Sequence, residues 1–123
     1  SIVISGDTNP CPGLTNGARD ADILVCDSMN VGMMEAFEES LRNAGNSLAA
    51  SLLVDAHTYH ASTRDAAEVA AKAGVKHLVL SHVMPAIPEE GPQVEAFTAG
   101  LSDLFPGRIT VGRDLQRFTL PAA

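Results

Sequence analysis

Short apolar runs alternate along this chain with stretches whose apolar positions recur every three to four residues. That alternation predicts strands and helices in turn. The first run, "SIVIS", is β-branched and too short for a helix, so residues 1–5 are expected to form a strand. Pro10, Pro12 and Gly13 mark a turn, and a short helix is expected from Leu14 to Arg19. A second buried strand is expected over residues 21–28, "ADILVCDS". In "MMEAFEESLRNAG", Met33, Met34, Phe37 and Leu41 fall on one helical face, with Gly45 as the stop. Residues 47–56 predict another helical turn or two. Ser62 followed three positions later by Asp65 is close to a capping box, with Asp in place of the preferred Glu or Gln. The helix it opens carries Ala66, Val69, Ala70 and Ala73 as a small-residue face, and Gly74 ends it. "HLVLS" (77–81) reads as the third strand and 93–105 as an amphipathic helix. "RITVG" and "LQRFTLP" read as two closing strands.

Apolar strands of four or five residues separated by helices make the fold class α/β, a sheet with helices on its face. With 123 residues the chain is one domain at most. An apolar share of 46% argues against disorder. No apolar run approaches the ~18 residues of a membrane span. A formal charge of −7, with only eight scattered Lys and Arg residues, disfavours nucleic acid and anionic membrane as partners. Cys11 and Cys26 form neither a disulfide framework nor a zinc-finger spacing and read as ordinary buried thiols. The first residue is not Met and already lies in a strand pattern, so the expectation is a piece of a longer polypeptide. Its cellular location is left open, with cytoplasm ahead of periplasm.

Candidate chemistry collects at the strand ends. Asp7 follows the first strand and Gly6, His82 follows the third strand, and His60 lies just before the Ser62 helix start. A carboxylate and imidazoles at neighbouring strand ends suit zinc, manganese or iron. Each residue alone also has an ordinary role: a turn aspartate, a hydrogen-bonded loop histidine, a residue beside a cap. His57 and His77 read as surface or packing residues. There is no Ser-His-Asp spacing, phosphate loop or dinucleotide fingerprint. Two other readings stand beside a metal site. One is a non-catalytic interaction domain. The other is a phosphoacceptor or phosphatase domain with Asp7 or Asp27 as nucleophile, which expects Lys or Thr where His82 stands.

Five features in sequence then carry a resemblance: "ISGDT", "ADILVCDS", "YHAST", "AGVK" and "LVLSH". Together they resemble the C-terminal half of the metallo-β-lactamase fold, in the branch of ribonuclease Z and the arylsulfatase-like hydrolases. The resemblance covers nearly the whole chain. It implies half of an αββα sandwich, one mixed sheet with helices on its outer face, the N-terminal half being absent. Asp7 matches the family's bridging metal ligand and His82 a terminal ligand. Asp27 and His60 match an acid–histidine pair that assists the leaving group. The sequence departs from the family at Cys26-Asp27, where His-Glu is usual, and at "HVMP", which lacks the usual aromatic-Ser-Pro-Arg. The resemblance implies two zinc ions, with manganese or iron as alternatives, and hydrolysis by metal-activated hydroxide. The expected substrate is a small ester, lactone, sulfate or phosphodiester, ahead of RNA. The missing half-domain is the expected partner, a homodimer is the alternative assembly, and the fragment alone is expected to be inactive.

Overall fold

In a computed structural model, residues 1–120 and 122 are described. Four strands form one sheet in the order β1 (Ile2–Ile4), β2 (Ile23–Met29), β3 (His77–Met84), β4 (Arg108–Val111). Between β1 and β2 lies α1 (Pro12–Gly17). Between β2 and β3 lie α2 (Val31–Asn43), α3 (Ser47–Ala56) and α4 (Thr63–Ala73). Before β4 come α5 (Pro92–Phe97) and α6 (Leu101–Leu104).

Every described strand pair is parallel, so the sheet is not the mixed one expected. The reason is the connections: each link between strands contains a helix and returns the chain to the same end. "LQRFTLP" would have supplied an antiparallel strand. Its residues 115–120 instead form no strand, and Pro121 lies outside the described residues. The chain turns at Arg113–Gln116, with Leu115 at φ +61°, and Phe118 then packs edge-on against the His77 ring at 5.4 Å. The predicted helix 93–105 is likewise two short helices. Gly100, at φ +77°, breaks it in a left-handed conformation that glycine adopts without steric cost.

Parallel strands in sequential order, joined by crossovers of the one hand such connections adopt, carry their helices on one face. That face holds the core, where Leu24, Cys26, Leu78 and Leu80 pack with Ala66, Ala70 and Phe97. Leu24, Leu78 and Leu80 are fully buried, and each stabilises the fold by about 1.5–3 kcal/mol relative to exposure. The Ala66-Val69-Ala70-Ala73 face of α4 lets that helix approach closely, as its small residues predict. Its N-terminus carries the full capping box, Ser62 Oγ accepting from Asp65 N at 3.0 Å and Asp65 Oδ2 from Ser62 N at 2.9 Å.

The opposite face presents Ile2, Ile4, Ile23, Val25, Val79 and, at its upper end, Asp27. Leu78 and Leu80 have the other parity and are not part of it. Ile2 and Ile4 are 55% and 71% exposed there.

α2 and α3 pack against each other around Met29, Met34 and Ala56 at the upper end of the sheet. Phe37 does not join this face. Glu38 is buried in its place, and its Oε1 lies 2.7 Å from His57 Nε2. His57 therefore stitches α3 to α2. His57→Ala should destabilise the protein by about 1–3 kcal/mol, because Glu38 is left buried with only Arg42 near it at 3.9 Å. Urea unfolding curves of the two proteins measure the difference.

Candidate metal-binding and catalytic site

All four strands run the same way, so their C-terminal ends share one edge. In open α/β sheets that edge is where ligands bind. Asp7 reaches it because Gly6, at φ +64°, turns the chain immediately after β1. Asp27 is the fifth residue of β2 and points to the face away from the helices. His60 is brought in by the segment before α4, which is tied to β2 by the Met29–Ser62 bridge and by Met29 N donating to Ala61 O at 2.9 Å.

His82 arrives by a different device. Asp27 pairs with Ser81, but Ser28 pairs with Val83, so His82 is an extra residue in β3. It is a β-bulge with a left-handed backbone, φ +47°, unusual for any residue but glycine. The bulge turns the His82 side chain toward Asp7 and Asp27, and β3 resumes pairing beyond it at Val83.

Ligand atoms of Asp7, Asp27, His60 and His82 all lie within 4.8 Å of one another. Asp27 Oδ2 lies 2.7 Å from His60 Nδ1, with both side chains buried. Aspartate, shorter than the family's glutamate by one methylene, therefore still reaches His60. His82 Nδ1 lies 3.2 Å from Asp7 Oδ1 and 3.4 Å from Asp27 Oδ1. The His60 and His82 rings meet edge to face at 4.9 Å. Asp7 and His82 are substantially exposed, so the cluster has an open side and a buried side.

The backbone braces the buried carboxylate. Ser5 Oγ accepts from Asp27 N at 3.0 Å, and Thr8 N donates to Asp27 Oδ2 at 3.3 Å. Asn9 donates its side-chain amide to Thr58 O, joining the Asp7 loop to the segment before His60. None of these three was singled out from the sequence, although "SGDTN" places them all around Asp7. Cys26, beside Asp27, points into the helix-side core, where burial raises its thiol pKa to about 11 and keeps it protonated and unreactive. Cys11, expected to be buried as well, is exposed, because it caps the start of α1 with Sγ accepting from Leu14 N.

Two carboxylates and two imidazoles on one edge are a donor set for zinc, manganese or iron. Asp27 Oδ1 is buried without a hydrogen-bond partner, which a cation would satisfy. The residues present therefore fit a divalent metal. Comparison with known proteins points the same way. The chain is 37% identical over 118 residues to a ribonuclease Z of Mycobacterium bovis, covering 95% of this chain and 37% of that protein. It is 34% identical over 122 residues to a ribonuclease Z of Mycobacterium marinum, covering 99% and 39%. The metallo-β-lactamase fold protein YhfI from Bacillus subtilis superimposes with a TM-score of 0.57 at 16% identity, over 91% of this chain and 36% of that one. The chain has a metallo-β-lactamase fold of the ribonuclease Z-like kind. It spans about two fifths of the length of these relatives. No protein-family model matches it. The ribonuclease Z-like segment thus brings Asp7, Asp27, His60 and His82 to one place, while His57 and His77 lie elsewhere in structural contacts.

Proposed function

We propose that the protein is a metal-dependent hydrolase of the metallo-β-lactamase superfamily, with this chain forming the C-terminal half of its catalytic domain. The observation that carries this reading is the convergence of the buried Asp27–His60 pair with Asp7 and His82 within 4.8 Å. Asp7 and His82 would hold metal, zinc first and manganese or iron as alternatives. When bound, divalent metal supplies Lewis acidity and a nucleophile at neutral pH.

The chain's own residues do the rest. Asp27 Oδ2 accepts the Nδ1 proton of His60, which fixes the ring and its tautomer and leaves Nε2 for the substrate side. The same carboxylate stabilises the ring when protonated, so His60 is equipped to hand a proton to a departing oxygen. The buried setting of the pair keeps water from competing for that proton.

Among the bonds considered, a phosphodiester agrees best with relatives named ribonuclease Z; small esters, lactones and sulfates remain in the substrate class. A second reading, cleavage of RNA, is favoured by those same names. Against it, a chain of net charge −7 brings few cations to a polyanion. Dialysis of the full-length protein against a chelator should abolish turnover of bis(p-nitrophenyl) phosphate, and zinc or manganese should restore it. Turnover that survives complete metal removal would overturn the proposal. RNA binding whose affinity falls steeply with salt would decide for the RNA substrate.

A further inference from the structure

The Asp27 carboxylate is more than the partner of His60. Its two oxygens have different surroundings. Oδ2 is satisfied by His60 Nδ1 at 2.7 Å and by Thr8 N at 3.3 Å. Oδ1 is fully buried with no hydrogen-bond partner, on a residue only 2% exposed. A buried carboxylate oxygen without a partner is costly, and such groups persist where a metal or ion supplies the missing contact.

Geometry says which contact that is. Oδ1 lies 3.4 Å from His82 Nδ1, and Asp7 Oδ1 lies 3.2 Å from the same nitrogen. In a tetrahedral zinc site with ligand bonds of ~2.0–2.1 Å, neighbouring ligand atoms stand ~3.3–3.4 Å apart. Both separations match that edge. Oδ1 thus faces the point on which Asp7 and His82 converge.

We infer that Asp27 is itself a ligand of the divalent metal, through Oδ1, while Oδ2 orients His60. The substitution at Cys26-Asp27 then has a chemical consequence. The shorter carboxylate couples the metal directly to the histidine that faces the leaving group, and its charge adds to that of Asp7 against the cation. This inference rests on the metal site proposed above.

The experiment is metal binding to the full-length apoprotein, using zinc and cobalt alone. Asp27→Asn keeps size and an acceptor for His60 but loses the anionic oxygen. It should weaken metal affinity more than about 100-fold, beyond the ~10–100-fold typical of an outer-shell partner. It should also change the visible absorption of the cobalt-loaded protein. His60→Ala removes only the hydrogen bond to the other oxygen and should cost no more than that ~10–100-fold. Wild-type affinity and an unchanged cobalt spectrum in Asp27→Asn would overturn the inference, as would equal losses in the two variants. Should Asp27→Asn fail to fold, a zinc-soaked crystal of the wild-type protein decides. Oδ1 within ~2.0–2.2 Å of the anomalous peak supports the inference, and a distance beyond about 3 Å refutes it. A metal-dependent enzyme with Oδ1 distant from the ion would leave the hydrolase reading standing and remove only this one.

Discussion

Replacing His60 by alanine is expected to lower the turnover of the full-length protein by ~10²–10⁴-fold while leaving its metal content at the wild-type value. That range is what a positioned proton donor typically contributes. Three observations direct the effect to chemistry rather than to metal retention. The His60 Nδ1 atom is already committed to Asp27 Oδ2 at 2.7 Å. The ring is buried and set edge-on against His82, beside the convergence of Asp7 and Asp27 at the sheet edge. Asp7, Asp27 and His82 still offer three ligand atoms without it. Turnover and metal stoichiometry measured on the same preparation separate the alternatives. Parallel loss of both would make His60 a metal ligand or a structural residue.

Much of this arrangement was legible in the sequence because local chemistry and tertiary structure agree there. Ser62 and Asp65 form a capping box with or without the rest of the fold, so the start of α4, and hence the place of His60, could be read directly. Apolar runs of parallel-strand length set the α/β class and put Asp7 just past β1, whereas His82, expected after the third strand, lies within β3. The bulge at His82 could not be read. "LVLSH" gives no sign that the register slips by one residue, since the slip is decided by how β3 pairs with β2. Nor could the periodicity of α2 distinguish Phe37 from Glu38. The buried position went to the glutamate because His57 arrives from α3 to pair with it, a contact 19 residues distant in sequence. "LQRFTLP" alternates like a strand, but its Leu115 is fully exposed and the segment folds over the sheet through Phe118 instead. The two oxygens of Asp27 likewise differ only through their neighbours in space.

His82 offers the sharper separation of function from folding, because its backbone and its side chain make opposite demands. Left-handed geometry at a non-glycine residue costs of order 1–3 kcal/mol and persists where the surroundings impose it. In the metal-free state, His82→Gly should therefore fold at least as stably as wild type, since glycine adopts φ +47° without the Cβ penalty. His82→Ala should be less stable than His82→Gly by about 0.5–1 kcal/mol, alanine retaining the Cβ. Both variants remove the imidazole whose Nδ1 stands 3.2 Å from Asp7 and 3.4 Å from Asp27. Loss of that ligand should take away the metal and, with it, at least about 10³-fold in turnover, since Lewis acidity and nucleophile generation disappear together. Asp7→Asn should reproduce the metal loss without any change in backbone strain. It should also leave metal-free stability within about 0.5 kcal/mol, Asp7 being a largely exposed side chain. Thermal unfolding in excess chelator, metal analysis and steady-state turnover on the same three variants test every part. A His82→Gly protein that keeps its full metal complement and its turnover would show that this edge of the sheet is not where the metal is held.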